Sequence, residues 1–145
     1  MEIQTIEEKD LELISNLFLS VFSEPPWNEY WESSWVYERL LWIYKSQGFH
    51  GYLAESNKRT IGAILGYFVP FQGKKGFEIK EFFVDFKYQG QGIGTKLLNQ
   101  LESELRKNDY EFSILLTSKE SYAESFYFKK GYEGNDKLIL MRSKL

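Results

Sequence analysis

The sequence predicts an α/β fold of the α+β mixed-sheet kind, an antiparallel meander with a parallel β-α-β crossover appended, built from six to seven strands and about four helices. Three observations carry this expectation. Three strand-like runs follow one another with turn residues between them. A glycine-rich segment joins an apolar strand to a long amphipathic helix, and another apolar strand comes after that helix. A chain of 145 residues reads as one domain spanning 1–145.

Glu2 to Ile6 alternates polar and apolar as a first strand, and Leu11, Ile14, Leu17 and Phe18 recur at helical spacing, with Asp10 placed to cap that helix. Ser23-Glu24-Pro25-Pro26 interrupts it, because proline lacks the N–H that a helix interior needs. A second helix is expected from Glu29 to Ser46, with Gly48 as its stop. Its aromatic stripe, Trp31, Trp35 and Trp42 with Tyr30 and Tyr37 alongside, reads mostly as helix core. Strands are expected at Phe49 to Glu55, Thr60 to Pro70 and Phe77 to Phe86, joined by hairpin turns at Asn57-Lys58-Arg59 and Gly73-Lys74-Lys75-Gly76. The next helix carries Ile93, Leu97, Leu98, Leu101 and Leu105 on one face and ends near Asn108. Phe112 to Thr117 is a continuous apolar strand, a helix spans Ser121 to Lys130 and closes on Gly131, and Leu138 to Met141 makes the last strand.

Composition removes several kinds of chemistry. With no cysteine, disulfides, thiolate metal sites and a cysteine nucleophile are excluded. His50, the single histidine, is too little for a histidine metal cluster and argues against a Ser-His-Asp relay; no metal is expected. No apolar run approaches the roughly 18 residues of a membrane helix, and no leader opens the sequence, so the expected location is cytoplasmic, without a membrane partner. The formal charge of −3 hides an asymmetry: residues 1–57 hold ten acids against three bases, a balance of −7, and the remainder carries +4. Such a dipole suits a cationic ligand on one side and an anionic one on the other, or is solvated surface charge. Nucleic acid is not an expected partner, because the bases are spread rather than clustered.

Gly90, Gly92 and Gly94 sit between the strand and the long helix. A P-loop needs glycine followed by lysine, and here Thr95 follows Gly94; a dinucleotide fingerprint needs glycine spacings of two and then three, and these are two and two. A ligandless glycine turn is the remaining bland reading. Against it, glycine lets successive amide N–H groups converge as an anion nest, and a helix N-terminus adds unsatisfied donors and positive potential. Together they suit a pyrophosphate, with Gln89 offering a neutral donor and Lys87 and Lys96 nearby charge.

The run Val84-Asp85-Phe86-Lys87-Tyr88-Gln89-Gly90-Gln91-Gly92-Ile93-Gly94 resembles the Gln/Arg-x-x-Gly-x-Gly/Ala acetyl-CoA motif of the GNAT superfamily of N-acetyltransferases. Ala123-x-x-Phe126-Tyr127-x-x-x-Gly131-Tyr132 is similar to that superfamily's second helix motif, and with the order of elements the resemblance covers essentially the whole chain. There are departures: Phe86 stands where proline is common, and Glu120 where many members place a cofactor-contacting asparagine, so no contact is carried onto Glu120.

The resemblance implies acetyl-CoA as co-substrate and transfer of its acetyl group to a primary amine by direct attack. It places the pantetheine arm along the main chain of Phe82, Phe83 and Val84, and the pyrophosphate on Gln89, Gly90, Gln91, Gly92, Ile93, Gly94 and Thr95. It puts Tyr127 at the departing sulfur, whereas Tyr122, Phe126 and Phe128 read as packed helix aromatics. Glu78 and Glu81 are the candidates to receive the amine. Three residues apart, they point to opposite faces of a regular strand, so at most one serves the site unless a bulge intervenes. The run Glu81-Phe82-Phe83-Val84 is similar to the polyamine-acetylating branch, which favours Glu81, while surface salt bridging is the blander use of either acid. On the amine side, Trp27 in a proline-stiffened loop beside Glu24 or Glu29 would suit a cation. A small cationic amine, polyamine or aminoglycoside-like, is the expected substrate. The alternatives are a peptide N-terminus or lysine, which the Pro26-Trp27 pair's likeness to enzymes of ribosomal-protein N-termini favours, and a non-catalytic acyl-CoA sensor. A monomer or homodimer is expected.

Overall fold

The computed structural model describes all 145 residues, Met1 to Leu145, and the chain divides into two compact units, Met1–Leu115 and Leu116–Leu145. The first unit holds strands β1 (Glu2–Thr5), β2 (His50–Ser56), β3 (Arg59–Phe71), β4 (Lys74–Val84) and β5 (Phe112–Ile114), and helices α1 (Leu11–Phe22), α2 (Ser33–Tyr44) and α3 (Ile93–Lys107). The strands form one sheet in sequence order, antiparallel from β1 to β4 and parallel between β4 and β5. This is the expected mixed sheet, with five strands rather than six to seven. The last expected strand, Leu138 to Met141, is irregular, with its side chains 73–82% exposed. Apolar letters are not enough there, because a strand exists only through the ladder it makes.

Both hairpins are tighter than the turn residues suggest. Asn57 and Lys58 have φ of 50° and 61°, and Gln72 and Gly73 have 51° and 76°. Two-residue turns of this hand match the twist of the strands they join, so pairing resumes at Lys74 although the apolar pattern starts only at Phe77. Asp10 is the N-cap residue of α1, as expected, but its side chain makes no capping bond to the helix. Its carboxylate accepts the Glu7 N–H at 2.8 Å and closes a single 3₁₀ turn, Glu8–Asp10, ahead of the helix.

The expected second helix starts later and faces differently. Residues 29–32 are irregular, the Trp31 indole donating to Glu29 at 2.8 Å and the Tyr30 hydroxyl to Glu32 at 3.1 Å, and α2 begins only at Ser33. Its core stripe is Val36, Leu40 and Ile43, all fully buried, whereas Trp35 and Trp42 are 46% and 60% exposed. Each of these tryptophans precedes a core residue by one position, about 100° around the helix. The large rings therefore flank the stripe instead of forming it.

Neighbouring residues of β3 go to opposite sides of the sheet. Ala63 and Leu65 join Leu53 and Phe83 in the core beneath α1 and α2, while Gly62 lies against Leu97 of α3. The β3–β4 register slips once: Leu65 opposes Glu81 and Gly66 opposes Ile79, so Lys80 is the extra residue of a β-bulge. Gly66 is required there, since any Cβ would overlap the Glu78 carbonyl oxygen.

The second unit contains α4 (Tyr122–Lys129). Ser121 caps it, its hydroxyl accepting the Glu124 N–H at 3.1 Å, and Gly131 follows it at φ 92°, the left-handed residue foreseen at its end. Tyr122 and Phe128, expected to pack, are 77% and 52% exposed. No residue of this eight-residue helix is fully buried.

Candidate functional site

Beyond Val84 the chain makes a 3₁₀ turn, Phe86–Tyr88, before the glycines. Asp85 holds that turn to the sheet: one carboxylate oxygen accepts the Lys87 N–H at 2.9 Å, the other lies 3.6 Å from the Arg59 guanidinium, and its own N–H donates to Ile61 at 2.8 Å. Gly90 and Gly92 then adopt φ of 76° and 82°, a region that a residue with a Cβ rarely enters. Gly92 is the N-cap of α3, and no side chain caps the helix. The first-turn N–H groups of Ile93, Gly94 and Thr95 therefore keep their donor capacity at the positive end of the helix dipole. A Cβ at Gly90 or Gly92 would meet nothing within 4 Å, so the surface over the loop is open. Shape and polarity fit a linked-phosphate anion. Ile93 can offer only its N–H, because its side chain is buried under α3. Gln89 donates one amide N–H to the Val84 carbonyl at 2.9 Å, tying the loop to the strand end, and Gln91 donates to the Lys87 carbonyl at 3.2 Å. Lys87 and Lys96 are exposed beside the loop.

The ladder between β4 and β5 stops at Glu78 opposite Ile114, whereas β4 runs on to Val84. Phe82, Phe83 and Val84 lie beyond that point. The Phe83 ring is buried edge-on against Phe18 and Phe22, with centroids 5.6 and 5.7 Å away, so what Phe83 offers a ligand is main chain.

The bulge decides where the two glutamates point. Leu65 belongs to the α1/α2 side, and so does its partner Glu81; Tyr67, packed on the same core, brings its partner Glu78 to that side too. The opposite-face geometry of a regular strand is thereby overturned, because Lys80 takes up the odd position. The two acids nevertheless have separate partners. Arg39 of α2 donates from Nε to Glu81 Oε1, and Lys80 lies 3.3 Å from Glu78. Arg39, Glu81, Lys80 and Glu78 thus form a row of alternating charge.

Burial pushes the Glu81 carboxyl above its ordinary 4.5; the charge and hydrogen bond of Arg39 and then the charge of Lys80 oppose this, and Glu29 adds a little to it. A carboxylate with a raised folded-state pKa contributes stability that is present below 4.5 and lost as pH rises through the folded value. The stability difference between wild type and Glu81→Gln should therefore move in the variant's favour between pH 4 and pH 7 in paired thermal melts. A movement the other way would mean that the Arg39 pair outweighs burial.

Aromatic rings line the same side. Phe22 lies 5.7 Å from Phe83 and 5.5 Å from Trp27, and Trp31 meets Phe18 edge-on at 5.0 Å. Half-buried Trp27 therefore stands one ring away from the strand that carries Glu81. Glu24 is exposed and makes no side-chain bond to this group. The acid drawn in is Glu29, which holds the Trp31 indole and acts on Glu81. Sequence reasoning missed Arg39, although a signal existed: it is one of only three bases in an acid-rich stretch of 57 residues.

Within the second unit, Tyr127 lies on α4, its ring 5.5 Å from both Phe126 and Tyr132 and its carbonyl accepting the Tyr132 N–H at 3.0 Å. Glu120 has φ 58°, and its N–H is taken by the Glu124 carboxylate at 3.1 Å. No group of three or more His, Asp or Glu side chains comes together that could hold a metal ion, and no helix is long and apolar enough to cross a membrane.

A family model described as an acetyltransferase (GNAT) domain matches residues 19–139. Among solved structures, an aminoglycoside acetyltransferase from an uncultured soil metagenomic sample, in complex with sisomicin, superposes with a TM-score of 0.77 at 22% identity, over 99% of this chain and 95% of that one. A possible acetyltransferase from Clostridium difficile gives 0.83 at 15% identity, over 99% and 97%. A ribosomal-protein-alanine N-acetyltransferase from Brucella melitensis biovar Abortus gives 0.77 at 12% identity, over 98% of each chain. At such identities the likeness speaks for the fold. No curated protein matches the sequence.

Proposed function

The chain belongs to the acetyltransferase (GNAT) domain family and is an acetyltransferase, and from that premise we propose that it transfers the acetyl group of acetyl-CoA to a primary amine of a small cationic molecule, a polyamine or an aminoglycoside-like compound. The observation that carries the reading is that one short stretch of chain, from Glu81 to Thr95, joins a buried carboxylate to an open, uncapped glycine loop. The first suits an ammonium and the second a pyrophosphate.

When bound, acetyl-CoA supplies an activated acetyl thioester. The main chain from Gln89 to Thr95 holds the phosphates, and main-chain groups of Phe82, Phe83 and Val84 align the arm that leads from them. A backbone N–H near Val84 polarises the thioester carbonyl, and one such donor lowers a barrier by about 3 kcal/mol. Glu81 holds the acceptor's cation and takes its proton, directly or through water; its raised pKa brings it nearer the working pH than an exposed glutamate. Glu78, engaged by Lys80, is the lesser candidate for that task. Trp27 and its neighbouring rings give the cation an aromatic face, with the exposed Glu29 and Glu24 adding negative potential. Tyr127 hydrogen-bonds the departing sulfur. A tyrosine hydroxyl is ordinarily a weaker acid than a thiol, about 10 against about 8.5, so a strong hydrogen bond serves the developing thiolate as well as full proton transfer. A cytoplasmic location, a single catalytic domain and a monomeric or homodimeric state belong to the same proposal.

The likeness to an aminoglycoside acetyltransferase supports a small polycation. Pro26-Trp27 and the likeness to a ribosomal-protein-alanine N-acetyltransferase favour the second reading, a basic peptide. A thiol-release assay with polyamines, aminoglycosides and basic peptides tests both, with turnover of the small polycations expected. Turnover of peptides alone would select the second reading. No turnover, with CoA still raising the melting temperature, would instead mark an acyl-CoA sensor.

A further inference from the structure

Glu81 is buried on the side of the sheet that α1 and α2 cover, the same side on which Phe83 packs against Phe18 and Phe22. Charge in such a place is costly without a partner. The charged groups that act on it are Arg39 from α2, Lys80 from its own strand and Glu29 from the segment before α2. Arg39 engages Oε1 through Nε, and no hydrogen bond reaches Oε2. Since no buried side-chain polar atom is left without a partner, Oε2 is the oxygen that reaches solvent. The Arg39 side chain is itself 37% exposed, against 10% for Glu81, so the pair is closed on one side and open on the other.

We propose that Arg39 is a positioning residue for acetyl transfer: it fixes the Glu81 carboxylate by Oε1 and holds it as an anion, so that Oε2 is presented to the acceptor amine. The proposal rests on the reading of Glu81 given above. Two protons leave the nitrogen. The first passes from the ammonium to Oε2 and on to bulk water, and the freed lone pair forms the C–N bond to the acetyl carbon. As the C–S bond breaks and the sulfur departs as a thiolate, the second passes from nitrogen to that thiolate, while Arg39 keeps its own proton. A guanidinium suits the task because it stays charged at every working pH.

The test begins without substrate. The Glu81 side-chain carboxyl is followed by carbon-detected NMR through a pH titration of wild type, Arg39→Ala and Arg39→Lys. Removing the cation should move the midpoint upward, and lysine should restore most of the difference. An unmoved midpoint in Arg39→Ala overturns the proposal. In kcat/KM against pH, the acid limb of Arg39→Ala should shift in the same direction, with about a tenfold loss on the acid side for every pH unit the limb moves and little loss at alkaline pH. A structural role alone would lower activity evenly across pH. Glu81→Gln separates the two levels. If that variant turns over normally, the assignment of Glu81 fails; if it is slow while the acid limb ignores Arg39→Ala, only the role of Arg39 fails. Should Arg39→Ala not fold, Arg39→Lys and Arg39→Gln give the same comparison.

Discussion

Replacing Gly92 by valine should abolish the stabilisation that CoA confers while leaving the ligand-free protein folded. A ligand at a hundred times its Kd adds about 2.7 kcal/mol to stability, a readily measured rise in melting temperature. Gly92 has φ 82°, and a Cβ there would meet nothing within 4 Å, so valine does not collide with the core. The cost is in the backbone, about 1–3 kcal/mol for a branched residue held in the left-handed region. The chain can accept that strain and crowd the phosphates with a side chain, or relax it and turn the amides away. Either way the convergent N–H groups at the start of α3 are lost to the ligand. A loss in affinity of about a hundredfold or more is expected, which is about 2.7 kcal/mol. A variant that CoA shifts as far as wild type would take the phosphate site away from this loop.

Tyr127→Phe should lower kcat by about a hundredfold, the scale of one positioned proton donor, and leave CoA affinity within about a factor of two. The substitution keeps the ring, and with it the contacts to Phe126 and Tyr132 at 5.5 Å, and removes only the hydroxyl. A donor needed only as the sulfur becomes a thiolate acts on the transition state and not on the bound coenzyme. Titration of CoA by thermal shift, beside thiol release under saturating substrate, separates the two quantities. Equal losses in both would reduce Tyr127 to a packing residue of α4.

Much of this was readable from local sequence. The meander follows from alternating residues and the turns between them, and α3 from leucines at helical spacing that all prove buried, from Ile93 to Leu105. Gly131 ends α4 as a left-handed residue, for a reason that lies within a few positions of it. What could not be read depended on residues far apart in the chain. The bulge at Lys80 lies where β4 crosses Gly66, and Arg39 meets Glu81 across 42 positions. Ring size misled the reading of α2: smaller Val36, Leu40 and Ile43 own the buried stripe, and Trp35 and Trp42 do not. The segment 138–141 has a strand's letters without a ladder.

The extra residue in β4 also governs how far roles can be transferred between relatives. In a chain whose strand lacked it, the residue aligned with Glu81 would project from the other side, away from the aromatic wall. Identical letters in an ungapped alignment would then stand for different chemistry, and an acid placed one position off could do the same task. Relatives of this enzyme are best grouped by whether a glycine faces that strand at the position of Gly66, before any comparison of which acid they carry.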